Sequence, residues 1–193
     1  MSRAADHLET LQDSLRGAPI IWKGDYPYFI HPISDGIPRM EAKVLRATRD
    51  LIIDMVDWSE IDIVVSVEAM GLPLLAAVGE ATGKPTVVIR KRPYGMEGEV
   101  RVDVSTGYST STAYINDIKP GDRVLVVDDV ISTGGTLEPL LEALEEIGAI
   151  LKGVVIAIEK GDGRERLAEE RPNWPIQTLA RIDIVEGRVV IVE

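Results

Sequence analysis

The chain has 193 residues, 45% apolar and 27% charged, a composition that fits one globular domain with a full core and excludes disordered and fibrous classes. Its net charge of −11 argues against a nucleic-acid backbone as a general partner, and the lack of cysteine excludes disulfides, thiolate nucleophiles and Cys-based metal sites. Lysine is scarce, seven against fourteen arginines, a balance also met in proteins of high-salt cytoplasms.

The first sixteen residues, MSRAADHLETLQDSLR, are too polar for a secretory leader, and no apolar run approaches bilayer length. Both features point to the cytoplasm. HLETLQDSLRG reads as a short helix stopped by Gly17. Residues 20–34, with alternating aromatics, read as irregular strand with turns. Pro38 opens a second helix running to about Met55. IDIVVSV (61–67) is a buried strand, followed by the turn Glu68-Ala69-Met70-Gly71 and a helix, LPLLAAVGEAT, stopped by Gly83. TVVIR (86–90) is the next strand.

Residues 92–116 break this rhythm. They hold three glycines, a cluster of Ser and Thr, and one alternating run, EVRVDV, suited to a strand of a hairpin. A long irregular stretch leaving a strand end in a compact domain reads as a mobile lid. The strand 124–127 follows, then an amphipathic helix, LEPLLEALEEIG, and the strand LKGVVIAIE (151–159). A short polar helix after Lys160 leads to two strands, IQTLARIDIV and RVVIV, expected to form a small antiparallel addition over the sheet. Continuous apolar strands alternating with helices make this an α/β chain with a parallel sheet covered on both faces, and ligands then sit at the carboxyl ends of the strands.

The most informative stretch is VLVVDDVISTGGT (124–136). Four apolar residues end in two adjacent carboxylates, Asp128 and Asp129. After Val130 and Ile131 comes a small, hydroxyl-rich glycine turn, Ser132, Thr133, Gly134, Gly135 and Thr136, immediately before a helix. Backbone N–H groups at a helix N-terminus favour a phosphate by hydrogen bonding and by the helix dipole. Carboxylates suit sugar hydroxyls or a hard cation such as Mg2+. The chain holds neither a GxxxxGK[ST] loop nor a GxGxxG after a strand.

This stretch resembles the 5-phosphoribosyl-1-pyrophosphate (PRPP) motif of type I phosphoribosyltransferases. Further likeness lies in the EAMG turn (68–71), in Arg90-Lys91-Arg92 before Gly-Glu-Val, and in IEKGDGRERL and LARIDIVEGRVVIV near the C-terminus. With PIIWKGDYPYFIHPISDGIP (19–38), the whole chain most resembles archaeal hypoxanthine/guanine phosphoribosyltransferase-like proteins. The resemblance implies a type I phosphoribosyltransferase fold: a parallel sheet with helices on both faces, a small hood and a flexible loop. On this pattern residues 1–39 supply the N-terminal helix and hood, 40–160 the core with the loop at 92–116, and 161–193 the C-terminal strands.

The resemblance also implies roles. Asp128 and Asp129 would bind the ribose hydroxyls, directly or through Mg2+, and stabilise a cationic ribose as pyrophosphate leaves. Ser132 to Thr136 would cradle the 5′-phosphate. Glu68, Ala69, Met70 and Gly71, with Arg90 and Lys91, would receive pyrophosphate. Lys160, thirty-one positions after Asp129, matches a lysine that donates to the purine O6. An ammonium carries donors only, so it suits a 6-oxopurine and mismatches the amino group of adenine. Val130 would supply an apolar face for the ring.

Two positions depart from the familiar patterns. Ser132 stands where human-type hypoxanthine/guanine enzymes carry an Asp, and Gly107 precedes Tyr108 where adenine enzymes carry a Glu. The resemblance therefore implies a Mg2+-dependent purine phosphoribosyltransferase and a homodimer, with adenine as the alternative base. A PRPP-sensing regulator is the alternative class, although the chain has no winged-helix segment and no basic face.

Overall fold

A computed structural model describes residues 2–24, 26–106 and 109–192. In chain order the elements are α1 (Arg3–Arg16), β1 (Ile20–Lys23), β2 (Tyr26–Phe29), α2 (Pro32–Asp35), α3 (Ala42–Asp54), β3 (Ile63–Val67), α4 (Gly71–Thr82), β4 (Thr86–Ile89), β5 (Val100–Thr106), β6 (Ser109–Ile115), β7 (Arg123–Ile131), α5 (Leu137–Ile147), β8 (Ile150–Lys160), α6 (Gly163–Glu170), β9 (Ile176–Val185) and β10 (Arg188–Val192).

Six strands form one sheet in the order β10-β9-β8-β7-β3-β4, parallel except for the antiparallel edge pair β9–β10. The central strands are apolar on both sides because both sides are covered. Val64, Leu125, Val127, Val155 and Ala157 join one core with Leu11 and Leu15 of α1, Leu51 and Ile52 of α3 and Leu74 of α4. Val65, Val124, Val126, Val154 and Ile156 join a second core with Leu140, Leu141 and Leu144 of α5. Alternation along each strand thus sorts neighbouring residues between two layers.

The helix expected from Pro38 begins only at Ala42. Residues 32–35 already form a one-turn helix, closed by Gly36 in the left-handed conformation (φ 69°), and residues 37–41 connect it to α3. The C-terminal strands also differ from expectation. They do not lie over the sheet: β9 pairs parallel with β8 and β10 continues the same sheet to its edge. Apolar residues on β9, Ala180 and Ile182, bury against α1's core, which holds them in the plane of the sheet.

The stretch 92–116 contains the antiparallel hairpin β5–β6, registered from Val100↔Ile115 to Thr106↔Ser109. Val102, Val104, Ala113 and Ile115 bury in the second core, so the hairpin base is packed against α5. The hairpin β1–β2 and α2 stand together beyond the strand ends, with Phe29 and Ile33 buried in the first core.

Candidate functional site

The cleft forms where the sheet order reverses. After β3 the chain crosses by α4 on one face to β4, and after β7 it crosses by α5 on the other face to β8. Helices leaving in opposite directions open a crevice between the carboxyl ends of β3 and β7. β7 deepens it. The strand does not stop at Val127 but runs to Ile131; it pairs with β3 only through Val126 and with β8 through Ile131. Residues 128–131 therefore stand beyond β3 with one flank open. A cavity of about 330 Å³ lies there, lined by Asp128, Asp129, Val130, all of Ser132 to Thr136, Glu68, Ala69, Met70, Lys91 and Lys160.

The two carboxylates are half-buried, and Asp128 Oδ1 accepts the Asp129 backbone N–H at 3.0 Å. Burial raises both above the usual carboxylate range. Asp129 is raised further by the neighbouring Asp128 charge, while Asp128 is held back by its bonds with Asp129 and by Lys91. Such a pair holds a proton readily until a cation or donor compensates it. All donors are hard oxygens, the chemistry Mg2+ prefers. Among the described residues no cluster of three His, Cys, Asp or Glu completes a cage. That fits an ion held by one or two carboxylates, with substrate oxygens and water filling the remaining positions.

The glycine turn is shaped by three supports. Gly134 takes φ 80°, which a side chain rarely adopts, and its carbonyl accepts the Glu138 N–H at 2.9 Å, starting α5. From α6, the Gly163 N–H donates to Ser132 O at 2.8 Å, and Arg166 donates to Thr133 O at 3.2 Å and to Glu138 at 2.8 Å. Glu138 lies in the first turn of α5, where its charge would oppose an anion, so the Arg166 ion pair offsets it. From the hairpin, the Ser105 N–H donates to Gly135 O at 3.0 Å, and Thr136 Oγ1 donates to Ser105 O at 3.2 Å.

The turn at 68–71 leads from β3 into α4, and its Glu68–Ala69 peptide is cis. Gly71 does not line the cavity, but it has no room for a side chain. A Cβ there would lie 1.8 Å from Ser66 Oγ and 2.8 Å from Asp128 Oδ1. The positive triplet separates. Lys91 lines the cavity, and its backbone N–H donates to Glu68 Oε1. Arg90 pairs with Glu68 at 3.2 Å, and Arg92 donates to the Tyr94 hydroxyl at 2.9 Å. Lys91 is thus the member of the triplet that faces the cavity.

Lys160 ends β8 with only 9% exposure. Its ammonium donates to Pro27 O at 2.9 Å and lies 3.9 Å from the centroid of the Tyr26 ring. The neighbouring Glu159 carboxylate is taken by Arg164 at 2.8 Å and Thr178 at 2.7 Å. Tyr26, Tyr28, Phe29 and Ser34, together with Ser105 and Ser111 of the hairpin, also line the cavity. None of them was singled out from the sequence. The aromatic run at 26–29 was the available signal, yet nothing local ties it to a strand end a hundred residues away. Gly107 and Tyr108 lie outside the described residues.

Residues 35–192 match the family model described as the phosphoribosyl transferase domain. The hypoxanthine/guanine phosphoribosyltransferase of Methanocaldococcus infernus is 49% identical over 181 residues, covering 94% of this chain and 98% of that one. The protein of the same name from Methanotorris igneus is 46% identical with the same coverage. Among solved structures, adenine phosphoribosyltransferase from Rhodothermus marinus superposes with a TM-score of 0.74 at 28% identity, covering 92% of this chain and 99% of that one. The Saccharomyces cerevisiae adenine enzyme, at 23% identity with coverage of 91% and 99%, shares the fold with a TM-score of 0.74. With its sheet order, its acid pair and its glycine turn, and by these matches, the chain belongs to the phosphoribosyl transferase family.

Proposed function

We propose that this protein is a purine-salvage enzyme that transfers 5-phosphoribose from PRPP to a 6-oxopurine, hypoxanthine or guanine, giving IMP or GMP and pyrophosphate. One juxtaposition carries the reading. A buried ammonium, Lys160, lines the same cavity as the Asp128–Asp129 pair and the Ser132–Thr136 turn. Lys160 can donate to a 6-oxo group but has nothing to offer a 6-amino group. The names of the archaeal relatives agree with that choice.

In this scheme the turn from Ser132 to Thr136 holds the 5′-phosphate by backbone donors and by the hydroxyls of Ser132 and Thr133, the Thr136 hydroxyl being spent on Ser105 O. Asp128 and Asp129 accept from the ribose hydroxyls, and their charge opposes the positive charge that grows on the sugar as the bond to pyrophosphate breaks. Lys91 and the Glu68–Gly71 turn receive the departing pyrophosphate, with Arg90 fixing Glu68. Val130 lies against the purine face. Bound Mg2+, held by Asp128 and Asp129 with substrate oxygens, would neutralise charge on the leaving group. From the family likeness we infer a cytoplasmic homodimer, whose assembly light scattering measures; among the described residues no helix is long and apolar enough to cross a membrane.

A second reading, adenine as the base, draws on the small residue Ser132 and on the fold shared with adenine enzymes. The deciding assay mixes protein, PRPP and Mg2+ with hypoxanthine, guanine, xanthine and adenine separately and measures nucleotide. The expected result is turnover with hypoxanthine and guanine and little with adenine. Turnover with adenine alone overturns the reading, and none with any base would favour a PRPP sensor.

A further inference from the structure

The Lys160 ammonium is an unusual buried charge. Among the described residues no carboxylate lies within ion-pair distance of it, since its sequence neighbour Glu159 is taken by Arg164, Arg181 and Thr178. What surrounds it comes instead from the hood. The Pro27 carbonyl accepts one of its three protons at 2.9 Å, and the Tyr26 ring presents its face at 3.9 Å. A buried ammonium without a counter-ion is costly unless its remaining donors are satisfied, so an acceptor on the ligand completes the set. An aromatic face also holds the charge in place without consuming a donor. With Pro27 O and the Tyr26 side chain engaged, an N–H direction is left for a ligand acceptor, and the ring and carbonyl decide where it points.

The same tyrosine reaches the other end of the site. Its hydroxyl lies 3.4 Å from Ser132 Oγ, in the first residue of the glycine turn. Burial alone would raise the Tyr26 hydroxyl, yet it is held below its ordinary value by hydrogen bonding with Lys160 and Ser132 and by the charges of Lys160 and Lys23. One side chain therefore touches the group read as the base donor and the turn read as the phosphate cradle.

We propose that Tyr26 is a positioning residue that aims Lys160 and thereby sets discrimination for the purine 6-oxo group. The inference rests on the reading of Lys160 given above. Tyr26 acts through Lys160 rather than on the reacting atoms. The ring supplies most of the effect, and the hydroxyl adds registration between the hood and Ser132.

A double-mutant cycle tests it, read as IMP binding by calorimetry so that inactive variants remain measurable. Tyr26→Leu should weaken IMP about tenfold, the size of one desolvated cation–π contact. Tyr26→Phe keeps the ring and should recover most of the loss. In a Lys160→Met background, Tyr26→Leu should have almost no further effect, because the group it aims is gone. If Tyr26→Leu weakens IMP equally with and without Lys160, Tyr26 only props the hood and the proposal falls. Unchanged IMP binding in Tyr26→Leu also overturns it. The base panel on the unmodified protein separates the two levels: use of 6-oxopurines with no Tyr26–Lys160 coupling defeats this inference alone, whereas use of adenine alone defeats both.

Discussion

Two carboxylates on consecutive residues, Asp128 and Asp129, are kept at the floor of a cleft although burial and mutual repulsion raise both. Among the described residues neither side chain has an ion pair to offset that folding cost, which the Lys91 charge relieves only in part at Asp128, and it points to selection for binding rather than stability. Asp129→Asn removes the charge most strongly raised while keeping the shape. Turnover should fall at least about 100-fold, as when a transition-state charge partner is lost. The melting temperature should rise by roughly 2–4 °C, corresponding to about 1 kcal/mol in a chain of this size. A variant that keeps its turnover, or melts earlier than the parent, would contradict this account. Ser66 belongs to the same corner. Its buried hydroxyl has no hydrogen-bond partner among the described residues, and Gly71 leaves it the space it occupies beside Asp128.

At the scale of elements, the glycine turn does not hold its shape by itself. The N-terminus of α6 braces it from behind, and the base of the β5–β6 hairpin closes on its far side. A Cβ at Gly163 would fall 2.3 Å from Ser132 O, 2.6 Å from Thr133 C and 2.7 Å from Gly134 N, all backbone atoms that cannot turn away. Gly163→Ala must therefore displace the turn or α6. We expect PRPP affinity to drop about tenfold and stability to fall by about 1–3 kcal/mol, the usual range for overpacking. Gly17→Ala, where a Cβ meets nothing within 4 Å, is the matched control and should change neither measurement. Equal behaviour of the two variants would show that α6 does not shape the turn.

At the scale of the whole molecule, one buried histidine ties the hood to the core. His31 is 1% exposed; its Nδ1 accepts the Ile33 N–H at 3.2 Å and its Nε2 lies 3.0 Å from Ser14 Oγ on α1. These bonds assign the proton to Nε2 and leave the ring neutral. Burial pushes its pKa down to about 4, against a partial pull upward from Asp35. A base whose folded value lies below its unfolded value of about 6.5 stabilises the fold fully above pH 6.5. That contribution, about 3 kcal/mol at most, is lost as pH falls from 6.5 towards 4. Asp128 and Asp129 run the opposite way, since raised acids gain stability as pH falls, so the comparison must be between parent and variant. His31→Asn should flatten the difference in chemical-denaturation midpoint between pH 7.5 and pH 4.5. An unchanged pH dependence would remove His31 from the account.

Much of the fold was legible in the chain itself. Apolar runs at 63–67, 124–127 and 151–159 can bury only as strands covered on both faces, and glycines follow the helical stretches, Gly83 and Gly148 closing α4 and α5 in the left-handed conformation and Gly17 following α1. The acid pair and the glycine turn were equally legible, because their chemistry is packed into thirteen consecutive residues. Strand ends were not: β7 runs past its apolar stretch to Ile131 because β8 supplies hydrogen bonds that no local pattern announces. The destination of the C-terminal strands, the separate fates of Arg90, Lys91 and Arg92, and the meeting of Tyr26 with Lys160 were decided only by tertiary structure. Each depends on contacts between residues far apart in sequence, and a side chain's partner is set by where the sheet brings it. The sequence determined the sheet, the acid pair and the turn, since those follow from local pattern and composition; packing decided which neighbours surround the charge at Lys160.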